Sequence, residues 1–121
     1  MYTSTIKPNV LFTAAHIAGQ VAADALTPRP MIVEDKANGK EYHIPDGVCG
    51  FAWVKIRPAK GKFVSWLKSA GIGSTDTYAG GYQIWISDYG QSMDKKYAYA
   101  DAFAEYLRNN GIKALADSRM D

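Results

Sequence analysis

The 121-residue chain has a single cysteine, Cys49, and only two histidines, His16 and His43. One thiol excludes an internal disulfide and favours a reducing, intracellular setting. The sequence offers neither HExxH nor paired CxxC motifs, so no metal site is expected. A phosphate loop is missing as well. Gly71-Ile72-Gly73-Ser74-Thr75 is rich in glycine, but no GK[ST] is present and the stretch follows a predicted helix rather than a strand. Residues 71–81 therefore read as a connecting loop, which leaves a small ligand there open, and no cofactor is expected. Long hydrophobic runs are also absent. The smoothest apolar stretch, 10–26, is interrupted by His16, Gln20 and Asp24. A membrane span needs about 20 mostly apolar residues, so this stretch is expected as an amphipathic helix. The opening MYTSTIKPNVLF has no basic segment leading into an apolar core, so no targeting segment is expected.

Acidic residues are missing from one long segment. No Asp or Glu occurs between Gly47 and Thr75, where Lys55, Arg57, Lys60, Lys62 and Lys68 all fall. The net charge is only +2, too small to identify a nucleic-acid binder by itself. The local excess is another matter, because Phe51, Trp53, Phe63 and Trp66 are interleaved with it. Cations beside aromatic rings are the chemistry that holds single-stranded nucleic acid. The alternative is a core of aromatics with solvated lysines, since Phe63 and Trp66 have helical spacing and surface lysines keep small domains dispersed.

Apolar residues make up 47% of the chain, enough for a packed core without a metal or disulfide. The length fits one domain, residues 1–121. Asn9 is placed to cap a first helix, 10–26, with Val10, Ala14, Ile17, Val21 and Ala25 as its buried stripe. Thr27-Pro28-Arg29-Pro30 stops it. Asn38-Gly39 suits the turn of a hairpin over 31–44, and Pro45-Asp46-Gly47 a second turn. VCGFAWVKI reads as a strand buried on both faces, with Gly50, Ala52, Val54 and Ile56 on one side and Cys49, Phe51 and Trp53 on the other. A short helix over 62–70 and a strand over 82–87 follow. In that strand Tyr82, Ile84 and Ile86 should face the helices and Trp85 the opposite side. Ser92 is placed to cap a helix over 93–109, which Asn110-Gly111 ends, and 112–116 reads as a last strand. The order α-β-β-β-α-β-α-β predicts an α+β domain: a mixed sheet of about five strands, including the 31–44 hairpin, packed by three helices.

Candidate chemistry is thin. Cys49 lies inside a predicted strand, where a buried thiol acts as a small hydrophobe. Asp88 and Asp94 flank the start of the last helix, and capping and dipole roles account for them better than a bound cation. The binding candidates are the basic face of Lys55, Arg57, Lys60, Lys62 and Lys68, and the aromatics Tyr78, Trp85 and Tyr89.

CGFAWVKI, GGYQIWISDYGQSMDKKYAYADAFAEYLRNNGIKA and the ending ADSRMD together resemble a family of small, largely uncharacterised proteins encoded in tailed-phage and prophage genomes. The resemblance covers residues 47–121 and transfers no active site. It implies a bacterial host cytoplasm and an accessory viral role, such as counteracting a host defence. With no convincing nucleophile, the expectation is a non-enzymatic protein that binds a bacterial or viral macromolecule. The alternatives are a nucleic-acid-binding module built on residues 55–68 and, less favoured, a small hydrolase or nucleotide-processing enzyme. The partner is expected to be protein or nucleic acid and not a membrane, and a homodimer is left open.

Overall fold

The computed structural model describes residues 6–28, 31–35, 37, 39–44 and 47–121. The expected turn residues Asn38, Pro45 and Asp46 and the helix stop at Arg29-Pro30 lie outside these, as does the side chain of His43.

The first helix, α1, is Pro8–Ala25. Pro8 sits in its first turn, where the missing N–H would have had no partner. The N-cap is Lys7, without a side-chain cap, so Asn9 does not cap the helix; its carbonyl accepts from Thr13 Oγ1 at 3.0 Å. The buried stripe is also not the expected one. Leu11, Ala15, Gly19 and Ala23 face inward, whereas Val10, Ile17 and Val21 are exposed. Both stripes are apolar, so periodicity cannot choose between them. Close approach to the neighbouring helix does, because Ala15, Gly19 and Ala23 leave room for larger side chains there.

The hairpin forms as expected. β1 (Met31–Asp35) pairs antiparallel with β2 (Lys40–Ile44), and Gly39 in the turn has φ +69°. It makes a two-stranded sheet of its own, separate from the main one.

The main sheet comprises β3 (Gly50–Ile56), β4 (Ser74–Thr75), β5 (Tyr82–Trp85) and β6 (Ala114–Met120), in the order β4-β5-β3-β6. Every pairing is antiparallel. Because β5 and β6 both run against β3, they are parallel to each other but do not pair. The strands on either side of the third helix are therefore separated by β3. The last strand starts two residues later than expected and runs on through Asp117, Ser118 and Arg119. It pairs with β3 along the whole length of both strands, and a strand with one open face accepts polar residues.

α2 (Lys62–Ser69) and α3 (Met93–Asn109) complete the fold. Ser92 caps α3, its hydroxyl accepting from the Lys95 N–H at 3.2 Å. Gly111 takes φ +84°, and the Ile112 N–H folds back to the Leu107 carbonyl at 3.0 Å, closing the helix.

The core lies between one face of the main sheet and the helices. Ala52, Val54, Ile56 and Tyr82 from the sheet, with Ile86 just past the end of β5, meet Leu67, Phe103, Ala104 and Leu107. Tyr82, Ile84 and Ile86 face the helices as the alternation predicts: Tyr82 and Ile86 are buried, and Ile84 packs half-buried against the core. The second face of β3 is only partly buried. Phe51 and Trp53 are only half-buried, which corrects the expectation of a strand enclosed on both sides.

Candidate functional site

Alternation along β3 puts Phe51, Trp53, Lys55 and Arg57 on the face turned away from the core. Antiparallel register sets Trp85 of β5 opposite Trp53, and Arg119 of β6 opposite Phe51. The Trp53 and Trp85 rings stack, with centroids 4.6 Å apart and planes 26° apart. Phe51 meets Trp85 edge to face at 6.0 Å. The Arg119 guanidinium lies 5.4 Å from the Phe51 centroid and 5.7 Å from that of Trp85, and Lys96 Nζ approaches Phe51 from the start of α3 at 5.6 Å. Trp85 remains 42% exposed, so the platform can be reached from solvent. Two rings held by each other and by a cation are also fixed in place before any ligand arrives.

Toward the other end of β3 the face becomes cationic. The first of these cations is not free. Lys55 is buried, and its Nζ bonds to Asp76 Oδ2 at 2.5 Å and to the Gly80 carbonyl at 2.8 Å. Asp76 also accepts the N–H groups of Tyr78 and Ala79, both at 3.0 Å. The Lys55 hydrogen bond, followed by those two backbone donors, holds the Asp76 carboxyl down at about 2. The acid missing from residues 47–75 thus comes from the next residue in sequence, and Lys55 leaves the expected basic face as a loop clamp. The clamp presents Tyr78, 99% exposed, at the tip of the 76–81 loop, and Arg57 Nη2 donates to the Ala79 carbonyl at 3.3 Å.

Arg57 stands between two clefts. One, about 520 Å³, is lined by Lys55, Arg57, Arg108, Lys113 and Leu115. The other, about 500 Å³, has Arg57, Lys60, Lys62 and Lys113 among its lining and Leu11, Ile56 and Phe63 as apolar floor. Among the described residues, neither lining contains an Asp or Glu. Arg57, Lys60 and Lys62 line one cleft together, and Arg108 from the end of α3 and Lys113 from the α3–β6 connection stand beside Arg57. Lys68 is not part of this group. It sits in the last turn of α2, its Nζ 5.9 Å from the Tyr82 ring centroid.

Tyr89 also leaves the candidate set. With φ +72° it turns toward the helices, packs against the core and lies 6.0 Å from the Tyr99 ring. Burial, and then Asp24 and Asp88, push its hydroxyl pKa up. The residues that the sequence does not single out are Arg119, Arg108 and Lys113. Period-two alternation placed Phe51 and Trp53 on the face of Lys55, and that signal was present. The contribution of Arg119 depended on the register of β6.

His16 is engaged elsewhere, its Nδ1 on the Tyr99 hydroxyl within the helical layer. Among the described residues, no group of three His, Cys, Asp or Glu side chains is placed to hold a metal, and no helix is long and apolar enough to cross a membrane. Compared with known proteins, the chain matches no family model, no curated protein and no solved structure.

Proposed function

We propose that this protein binds single-stranded nucleic acid through the open face of its sheet, as a non-enzymatic accessory factor of phage type working in a bacterial cytoplasm. The setting rests on the resemblance of residues 47–121. The binding reading rests on one observation above all: the stacked Trp53–Trp85 pair, with Phe51 and Arg119, on the sheet face turned away from the core, where Trp85 is 42% exposed. Unstacked bases add to such a platform, each worth roughly 1–3 kcal/mol, while a backbone running along β3 reaches Arg57, Arg108 and Lys113. A duplex keeps its base faces covered and gains nothing from the rings.

The test is tryptophan fluorescence titration with a short oligothymidylate over a series of salt concentrations. Quenching that saturates, with affinity falling as salt rises, is the expected result. Trp85→Ala should weaken binding by about ten-fold or more. Unchanged affinity in that variant, or no binding at low salt, removes the reading.

A protein partner at the same face is the second reading. It is favoured by β6, an edge strand with Leu115 63% exposed, and by Asp117, which stands opposite Trp53 and repels phosphate. Such a partner would pair with the β6 edge, and its affinity would depend little on salt.

A further inference from the structure

Helix α1 is apolar on two sides. Its inner stripe packs on α3, and the side turned away carries Val10, Ala14, Ile17 and Val21. These four are spaced by four, three and four residues, the seam spacing of paired helices. Val10 is 49% exposed, Ile17 53% and Val21 64%. A helix apolar all round is normally buried all round. α1 has one charged residue within it, Asp24, and one at its N-cap, Lys7, both exposed. Each is at the wrong end for its own helix. Lys7 sits at the positive N-terminus of the macrodipole and Asp24 in the negative last turn.

We infer that α1 is the contact between two copies of this chain, packed antiparallel about a twofold axis between Ala15 and His16. The numbering makes the fit specific. Val10 meets Val21, Ala14 meets Ile17 and Lys7 meets Asp24, since each pair of numbers sums to 31. The two charges misplaced on their own helix each come to the favourable end of the other copy's helix and pair there. A seam without other charges has no reason to prefer a foreign surface over its own copy. It runs roughly 25 Å along the helix, short for a tight dimer, so association should depend on concentration over the micromolar range. The aromatic platform lies on the far side of the sheet, so the pairing leaves it open in both copies.

Sedimentation of the full chain from about 1 µM to about 1 mM tests this. The expected result is a shift from monomer to dimer mass. Ile17→Glu, at an exposed position that the fold does not need, should weaken dimerisation by at least about ten-fold. Lys7→Glu and Asp24→Lys should each weaken it too, by setting like charges together. Mixed with each other, these two variants should associate more tightly than either does alone, since both contacts become opposite-charge pairs. A chain that stays monomeric throughout, whatever other partner the stripe then takes, overturns the proposal. So does Ile17→Glu dimerising like the parent chain, or a mixture without that preference.

Discussion

The Tyr99 ring occupies the place where a side chain on Gly19 would have to go. A β-carbon at position 19 would fall 2.6 Å from Tyr99 Cδ2. The ring cannot easily yield, because it is buried and its hydroxyl is tied to His16 Nδ1 in the same helix as Gly19. Burial also drives its pKa upward, so it stays a neutral hydroxyl. Alanine is the better helix former by about 1 kcal/mol, so an unobstructed Gly19→Ala would stabilise α1. Here the sign should reverse. We expect Gly19→Ala to destabilise the fold by about 1–3 kcal/mol in urea unfolding, the usual cost of overpacking.

Asp76 sets a pH dependence. Its folded pKa of about 2 lies below the unfolded value of about 3.9, so the clamp on Lys55 contributes in full above pH ~4. The contribution fades as pH falls and is gone once pH has passed below about 2. A carboxyl-carbon NMR titration should place the Asp76 midpoint near that value. Asp76→Asn should remove this part of the acid dependence of stability. A midpoint near 4 would show that the clamp does not hold in solution.

The cationic clefts predict a separation of binding from stability. Arg57, Lys60 and Lys62 are exposed, and Arg57 donates to the Ala79 carbonyl at 3.3 Å. Changing all three to Glu should alter stability by no more than about 0.5 kcal/mol at each site. The same variant should lose oligothymidylate binding, because three attractive contacts become repulsive. Full retention of binding would move the phosphate path away from this end of the sheet.

Cys49 is half-buried and lies on a bridge between its own backbone and that of Ser92. Cys49→Ser therefore exposes a new hydroxyl to partial hydration. The expected cost is below about 1 kcal/mol, with binding unchanged. Denaturant unfolding and the fluorescence titration check both halves of that statement.

How far the sequence could be read depended on whether each choice was local. The inner set of β3, the Ser92 cap and the Gly111 stop are local decisions of alternation and hydrogen bonding, and they stand as expected. The α1 stripe does not, because Leu11-Ala15-Gly19-Ala23 and Val10-Ala14-Ile17-Val21 are both apolar. What decides is the shape of Tyr99, 80 positions after Gly19. Lys55 was misjudged for a related reason. A segment without acids in sequence is not a surface without acids in space, and Asp76 folds back onto it. Trp85 was placed correctly by parity alone, but its partners Trp53 and Arg119 needed the register of three strands.

That register joins residues very far apart along the chain. Gly50 pairs with Met120 and Ile56 with Ala114, so the central strand waits for residues 114–120 to be made before its second edge is covered. Contacts of such separation form late, after local helices and turns. During synthesis, a nascent chain would display Phe51 and Trp53 without Arg119 beside them, and any product cut short before residue 114 would keep them so. The platform thus reports on a distant segment, since only a molecule in which residues 114–120 have been made and docked carries the whole surface.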